Sequence, residues 1–271
     1  MTNKKDEKLF CFDLDGTLLT KEKKISELTY NALVEFTDNG NHFAINTGRA
    51  LDSAMAVQKE LNLFFKGSFL IAYNGSQIYD CDRKETIYRT GVPMDIVPDI
   101  FDMAVQMGIH LHTYNDTHIV GLADDEEMKY YRRVIKTPML ITNDICAHLD
   151  MAPCKLIGIE LHDHDKIENF KCKVEEKYGD RLTLLYSNPY YLEIFNKEAG
   201  KGNAVIRICD YLGIPVANSL AAGDEQNDIS MIEAAGTGIA MLNATDLVKS
   251  KADVVTEADN DHDGLVPFLK S

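Results

Sequence analysis

No stretch of this sequence stays apolar for the roughly 18 residues that a membrane-spanning helix needs. The longest candidate, from Leu61 to Tyr73, is broken by Asn62, Lys66 and Gly67. Nothing near the start reads as an export signal: Met1 to Lys8 is polar and charged, and the apolar run after it is short and stops at Asp13. These two absences point to a cytoplasmic protein with no membrane partner. Basic residues are also scarce, with 28 Lys and Arg against 43 Asp and Glu, a formal net charge of −15. Such a chain repels nucleic acid and anionic bilayers. An anionic small molecule remains possible where a metal ion or a few Lys and Arg supply local positive charge. The six cysteines, Cys11, Cys81, Cys146, Cys154, Cys172 and Cys209, show neither a Cys-x-x-Cys pair nor zinc-ligand spacing. Cys11 and Cys209 fall on apolar positions and read as reduced core thiols. No internal repeat and no low-complexity tract is present. What remains is ordinary for a globular protein: 271 residues, 45% hydrophobic and 26% charged, enough for one large domain or two modest ones.

The chain is organised around residues 9 to 19, Leu-Phe-Cys-Phe-Asp-Leu-Asp-Gly-Thr-Leu-Leu. A short apolar run of this kind reads as a buried strand. It ends in two carboxylates, Asp13 and Asp15, which strand alternation places on one face with Leu14 opposed. Like charges so close repel, and burial raises the cost. A hard divalent cation with oxygen ligands is the simplest compensation. Gly16 lets the chain turn sharply just beyond the pair. A solvated acidic turn is the plainer reading of Asp-x-Asp taken alone.

Further along, Ser26 reads as the cap of a helix with Leu28, Ala32, Leu33 and Phe36 inward, stopped at Asn39-Gly40. A strand at His42 to Asn46 runs into Thr47-Gly48-Arg49. A helix follows with Leu51, Ala54, Met55 and Leu61 inward. A strand from Ser68 to Tyr73 closes at Asn74-Gly75. This alternation argues for a parallel sheet with crossover helices. From Gln77 the rhythm changes. A small hairpin (77–79 and 85–88) comes first. A helix from Asp95 to Met107, β-rich sequence from Ile109 to Val120, an amphipathic helix from Asp124 to Val134, and strands at 155–161, 182–186 and 190–195 around a helix at 166–177 then read as an inserted α+β unit. The boundaries expected are 1–86 with 196–271 for the outer unit and 87–195 for the insert. The βα rhythm returns with a helix from Lys201 to Leu212, a strand at 219–222 ending in Gly223-Asp224-Glu225-Gln226-Asn227-Asp228, a helix carrying Ile229, Ile232 and Ala235, strands at 237–241 and 252–256, and a short last helix.

Ligands of open parallel sheets bind outside the carboxyl ends of the strands. Three strands end there in polar clusters: Asp13 and Asp15; Thr47-Gly48-Arg49; Asp224 with Asn227 and Asp228. Carboxylates gather a divalent cation. A threonine hydroxyl and backbone N–H groups at helix starts suit phosphate oxygens. Lys201, between Gly200 and Gly202, offers a point positive charge. Together they describe a phosphate held against Mg²⁺ with a carboxylate placed to attack phosphorus.

With these residues in view, the chain resembles the haloacid dehalogenase superfamily of phosphotransferases, and within it the Cof-type group with a large α/β cap. Asp13-Leu14-Asp15-Gly16-Thr17 matches the first motif, Thr47 the second, Lys201 the third and Gly223-Asp224-x-x-Asn227-Asp228 the fourth. Tyr73-Asn74-Gly75, Gly238-Ile239-Ala240-Met241 with Asn243-Ala244, and Asp263-Gly264 match Cof-like details. The resemblance spans nearly the whole chain and is weakest in the insert. It implies a Rossmann-like α/β core with an inserted α+β cap of the C2 type. It implies Asp13 as nucleophile and Asp15 as general acid, then base. It implies Mg²⁺ held by Asp13, the Asp15 backbone carbonyl and Asp224, with Asp228 orienting that set from behind. Thr47, Lys201 and Asn227, with N–H groups of Leu14 and Gly48, would bind the phosphoryl group. The implied activity is phosphomonoester hydrolysis on a small metabolite, foremost a sugar phosphate, by a monomer or homodimer. A flavin-precursor or pyridoxal phosphate phosphatase, a phosphomutase, and a phosphate-binding regulator without turnover are the alternatives.

Several residues carry a plainer reading beside the functional one. Lys201 alone would be a solvated helix-start lysine, Thr47 doubles as a helix cap, and Arg49 is either a substrate ligand or half of a surface ion pair. His162-Asp163-His164-Asp165 reads as a strand end with capping acids rather than a metal cluster. His110 and His112 share a strand face and, with His118, are candidates for a cap pocket. Asp259-Asn260-Asp261-His262-Asp263-Gly264 mimics the start of a calcium loop, but the twelfth position is Lys270, so it reads as a capped turn before the last helix.

Overall fold

Four residues, Leu9–Phe12, form β1, buried along its whole length as an unbroken apolar run in a parallel sheet must be. The computed structural model describes residues 6–133, 135 and 137–270. The chain makes two units, Met1–Arg89 with Gly200–Ser271, and Thr90–Ala199.

After β1, Ser26 caps α1 (Glu27–Asp38) by accepting the Thr29 N–H. The buried stripe of α1 is Thr29, Ala32, Leu33 and Phe36. Leu28, expected inward, is 49% exposed, because it sits one residue, about 100° of helix, off that stripe. β2 (His42–Asn46), α2 (Leu51–Glu60) and β3 (Ser68–Ala72) follow. The chain reverses at Tyr73 and Asn74, both with positive φ. It then forms β4 (Gln77–Asp80) and β5 (Glu85–Arg89). β4 pairs antiparallel with β3, and β5 with β4. The hairpin therefore extends the first sheet, and the units divide at Arg89/Thr90 and Ala199/Gly200 rather than at 86/87 and 195/196.

The second unit runs α3 (Val97–Met107), β6 (His110–Tyr114), β7 (Ile119–Gly121), α4 (Glu126–Tyr131), β8 (Met139–Ile141), β9 (Leu156–Ile159), α5 (His164–Tyr178), β10 (Leu182–Asn188) and β11 (Tyr191–Asn196). Its six strands lie in the order β10-β11-β9-β6-β7-β8, antiparallel except for the β7–β8 pair. One hydrophobic cluster joins Leu111, Leu156, Leu192 and Ile194 of the sheet to Ile100 and Phe101 of α3 and Ile167, Phe170 and Val174 of α5. α4 ends at Tyr131; Val134, the expected end of that helix, lies outside the described residues. Asp163 caps α5 through the Lys166 N–H, the capping role read from the sequence.

The first unit resumes with α6 (Lys201–Leu212), β12 (Ser219–Gly223), α7 (Ile229–Ala234), β13 (Thr237–Ala240), α8 (Asp246–Lys249), β14 (Val254–Val255) and α9 (Val266–Leu269). Its eight strands lie in the order β14-β13-β12-β1-β2-β3-β4-β5, parallel from β14 to β3. β1 stands between β2 and β12, so the strand order reverses at it, and the loops that follow these three strands open side by side. Phe10, Phe12, Leu33, Phe36 and Phe43 fill the core on one sheet face, and Cys11, Val205, Ile208 and Cys209 on the other. Asp259 caps the turn at Asn260–His262, as the capped-turn reading required. Among the described residues no helix is long and apolar enough to cross a membrane.

Candidate active site

β1 ends at Phe12, one residue short of Asp13, so strand alternation does not carry through the acidic pair. Asp13 and Asp15 are joined instead by a turn, in which the Asp15 N–H donates to Asp13 Oδ2 at 3.0 Å. Their side chains have different partners. Lys201 Nζ donates to Asp13 Oδ1 at 2.6 Å and to Asp228 Oδ1 at 2.6 Å. Asp15 is gripped by Lys23 Nζ at 2.6 Å and by the Arg49 guanidinium at 2.8 Å.

Lys201 opens α6 and is 1% exposed. A buried ammonium is costly without partners, and two carboxylates provide them. Asp228 is fully buried. Its second oxygen accepts the N–H groups of Asp224 and Glu225 at 2.9 and 3.1 Å, which fixes the loop after β12. Asp224 Oδ1 accepts the Thr17 hydroxyl at 2.9 Å. Ligand oxygens of Asp13, Asp224 and Asp228 all lie within 4.8 Å of one another.

Crowding shows in the acidities. Burial pushes Asp13 up to about 6; Lys201 opposes the shift, and the charge of Asp228 adds to it. Burial, then the charge of Asp228, pushes Asp224 up to about 7, with the Thr17 hydroxyl pulling the other way. Burial also acts on Asp15, but the hydrogen bonds from Lys23 and Arg49 outweigh it and hold the carboxyl below its ordinary range. Lys201 moves upward: burial opposes its charge, and Asp13 and Asp228 overcome that. Three carboxylates served by one ammonium leave negative charge uncompensated, and an all-oxygen donor set suits a hard divalent cation.

The glycines are forced by this packing. Gly16 has φ +78°, and a Cβ there would stand 2.2 Å from the Asp224 carboxylate. A Cβ on Gly223 would stand 2.3 Å from Asp228 Cβ.

The residues singled out in the sequence divide into two groups. Asp13, Lys201, Asp224 and Asp228 form one contact network, and Asp15 joins it through its N–H. Thr47 lies at the end of β2, and its hydroxyl accepts the Arg49 N–H at 3.3 Å. It does not cap α2, whose cap position is Ala50 without a side-chain bond. Gly48 lies beside Asn74, 3.0 Å from Oδ1 for an added Cβ. Leu14 has its side chain buried, and Asn227 sits within the turn Gln226–Asp228. Arg49 takes the ion-pair reading, with Asp15 as its partner. Sequence reasoning gave no role to Thr17, Lys23 or Asn243. Thr17 was visible inside the first motif. Asn243 donates to the Gly16 carbonyl at 2.8 Å, bracing the turn below Asp15. Lys23, held at φ 59°, carried no signal. His110 and His112 share a face and bond each other at 3.0 Å, with His110 also on Asp125 at 2.7 Å; these contacts lie within the second unit.

Comparison with known proteins gives this arrangement its context. The family model of the haloacid dehalogenase-like hydrolases matches residues 10–269. The chain is similar to the 5-amino-6-(5-phospho-D-ribitylamino)uracil phosphatase YwtE of Bacillus subtilis, 31% identical over 284 residues, covering 97% of this chain and 96% of that protein. It is similar to YcsE of the same organism, which bears the same enzyme name, at 30% identity over 265 residues, 98% of this chain and 95% of that one. Among solved structures, a haloacid dehalogenase-like hydrolase from Bacteroides thetaiotaomicron matches with TM-score 0.85 at 28% identity, covering 97% of this chain and 98% of that chain. TM0651 from Thermotoga maritima matches with TM-score 0.83 at 29% identity, covering 97% of each. The chain therefore belongs to the haloacid dehalogenase-like hydrolases, in the Cof-type group, and is a phosphoric monoester hydrolase.

Proposed function

We propose that this protein is a Mg²⁺-dependent phosphatase of small phosphorylated metabolites, foremost sugar phosphates, working through an aspartyl-phosphate on Asp13. The observation that carries this reading is the cluster of Asp13, Asp224 and Asp228, in which Lys201 is the ammonium shared by Asp13 and Asp228. It leaves an acidic, cation-shaped charge deficit where strand order reverses. Asp13, Asp224 and the Asp15 carbonyl would hold the ion, which when bound would offset charge developing on the transferred phosphoryl group. Asp228 has both oxygens engaged by Lys201 and two N–H groups, which suits orienting the set rather than ligating.

The side chains then divide the chemistry. The Asp13 carboxylate attacks phosphorus, and a bond to Asp13 forms as the ester P–O bond breaks. Asp15 gives its proton to the leaving oxygen. In the second half Asp15, now a carboxylate, takes a proton from water. The resulting hydroxide attacks phosphorus, and Asp13 leaves as a carboxylate with phosphate released. Thr47, Lys201, Asn227 and the N–H groups of Leu14 and Gly48 would hold the phosphoryl oxygens. Lys23 and Arg49 keep Asp15 ionised in the free protein, the state that the second half needs. For the first half Asp15 must take up a proton, from solvent or from a singly protonated phosphate ester; one of the two cations must let go, and the arriving phosphoryl group is a partner that draws it away. The unit Thr90–Ala199 would act as the cap that selects the organic part of the substrate. A cytoplasmic monomer or homodimer completes the reading.

A second reading, a flavin-precursor phosphatase, is favoured by the names of three Bacillus subtilis relatives, YitU, YwtE and YcsE, at 28%, 31% and 30% identity. Phosphate release across phosphorylated sugars, 5-amino-6-(5-phospho-D-ribitylamino)uracil and pyridoxal phosphate, with EDTA and with added Mg²⁺, tests both. Release from a sugar phosphate that needs Mg²⁺ supports the first reading. Preference for the ribitylaminouracil ester supports the second. Release indifferent to EDTA would remove the ion from both.

A further inference from the structure

β2 ends in Asn46, one residue before Thr47. The Asn46 side chain is wholly buried. Its NH₂ donates to the Lys201 main-chain carbonyl at 3.1 Å and to Met231 Sδ at 3.4 Å. Its Oδ1 is buried and has no hydrogen-bond partner. Turning the amide over would not help, because the Lys201 carbonyl only accepts and would then face a second acceptor.

A buried polar atom without a partner is rare and costly. The NH₂ does little for the groups it touches. The carbonyl of a helix's first residue already accepts the N–H four positions on, and a thioether is a weak acceptor. A branched apolar side chain at position 46 would avoid the orphaned oxygen. Stability alone therefore does not call for an amide here.

Position does. α6 opens on Lys201 without a side-chain cap, because its cap position is Gly200, at φ +132°. The turn after β3 lies against that glycine: a Cβ on Gly75 would stand 2.3 Å from the Gly200 carbonyl oxygen. The Asn46 amide adds a tie from outside the helix to its first residue. Lys201 sends its ammonium to Asp13 and Asp228, 2.6 Å from each, so the seat of its main chain decides whether it reaches both. Met231, the other contact of Asn46, lies in α7, the helix that follows Asp228. One side chain thus joins the strand end that leads to Thr47, the helix start that carries Lys201, and the helix behind Asp228.

We propose that Asn46 is the positioning residue that seats Lys201, its amide fixing the main chain from which the ammonium spans Asp13 and Asp228. That this seat serves turnover rests on Lys201 holding the phosphoryl group; the seat itself does not.

Asn46→Leu keeps the branching and removes both the donor and the orphaned oxygen, so its melting temperature should stay within about 3 °C of the parent's. Brief treatment with acetic anhydride, followed by peptide mass analysis, reads the seat. In the parent, buried Lys201 should be acetylated far more slowly than the exposed Lys66. In Asn46→Leu, Lys201 should be acetylated at least tenfold faster than in the parent. A misplacement of about 1 Å can cost about 100-fold in rate, so kcat/KM should fall at least tenfold. The fall should be the same for p-nitrophenyl phosphate and glycerol 3-phosphate, since Lys201 would meet the phosphoryl end of either. Asn46→Ala, which leaves space instead of bulk, is read in the same way should the leucine not fold. Ile208→Val, which softens the packing of α6 away from Asn46, should match the parent in both readouts.

Lys201 acetylated no faster in either Asn46 variant overturns the proposal, whatever happens to kcat/KM. Faster acetylation in Ile208→Val as well overturns it too, since general loosening would then account for the effect. A melting temperature more than about 10 °C lower in both Asn46 variants would make the amide a prop of the fold and remove the positioning role. Faster acetylation of Lys201 with kcat/KM unchanged leaves the seat standing and takes Lys201 off the phosphoryl group.

Discussion

Lys201 and Asp13 lie 188 positions apart in the chain and meet at 2.6 Å. Lys201 is 1% exposed, and its other contact is the fully buried Asp228, also at 2.6 Å. Truncating one member of a buried ion pair leaves the others charged and dry, at a cost of about 3–5 kcal/mol. Lys201→Ala is expected to lower the melting temperature markedly and to abolish phosphate release. Calorimetry and a phosphate assay on the same preparation check both. A variant as stable and active as the parent would show that the pair is incidental.

The raised pKa values of Asp13 and Asp224 make the benefit of a cation depend on pH. Both folded-state values, about 6 and about 7, lie above the ordinary 3.8. Between about pH 4 and 7 the folded protein therefore binds more protons here than the unfolded chain does. This cluster's contribution to stability falls as pH rises through that window. A divalent cation offsets the repulsion only once the carboxylates are ionised. The rise in melting temperature on adding Mg²⁺ is expected to be small at pH 5 and to grow to several degrees at pH 8. A Mg²⁺ effect that is the same at both pH values would contradict this.

Thr17 is 1% exposed and spends its hydroxyl on Asp224 Oδ1. Thr17→Val keeps the shape and removes the donor. Asp224 then binds its proton more tightly, and the Mg²⁺ concentration for half-maximal activity should rise about 10–100-fold, the usual effect of losing a partner behind a metal ligand. Activity at saturating Mg²⁺ should recover most of the parent value. An unchanged Mg²⁺ requirement would place the metal away from Asp224.

Lys23 and Arg49 together hold the pKa of Asp15 below its ordinary value. As the base of the second half, Asp15 must be ionised, and these cations keep it so in mildly acidic solution. Lys23→Met removes one of them, so the acid limb of the pH–rate profile should move to higher pH, and activity at pH 5 should fall more than activity at pH 7. Stability should change by no more than about 1 kcal/mol, since the Lys23 side chain is 62% exposed. A profile that does not move would detach Lys23 from Asp15 function.

Much of this arrangement was legible in the residues. The alternation of apolar runs and capped helices located β1, β2, β3 and β12, and their polar ends contained Asp13, Asp15, Thr47, Asp224 and Asp228. Three things were not legible. Alternation misjudged the acidic pair because β1 stops at Phe12 and a turn, not a strand, joins Asp13 to Asp15. The boundary expected at 86/87 cuts through β5, because local pattern does not reveal a partner strand; β5 pairs with β4, and β4 with β3. Lys23 lay hidden in the charged run Lys21-Glu22-Lys23-Lys24, where only the left-handed backbone at Lys23 picks out which lysine turns back to Asp15.

The most direct test of the central claim is rapid acid quenching of the protein during turnover of a phosphorylated substrate with Mg²⁺, followed by peptide mass analysis. The expected result is a phosphoryl group on Asp13, absent in Asp13→Asn, which should also release no phosphate while remaining folded. Steady phosphate release from Asp13→Asn within tenfold of the parent, or a phosphoryl group found on another residue, would contradict the account.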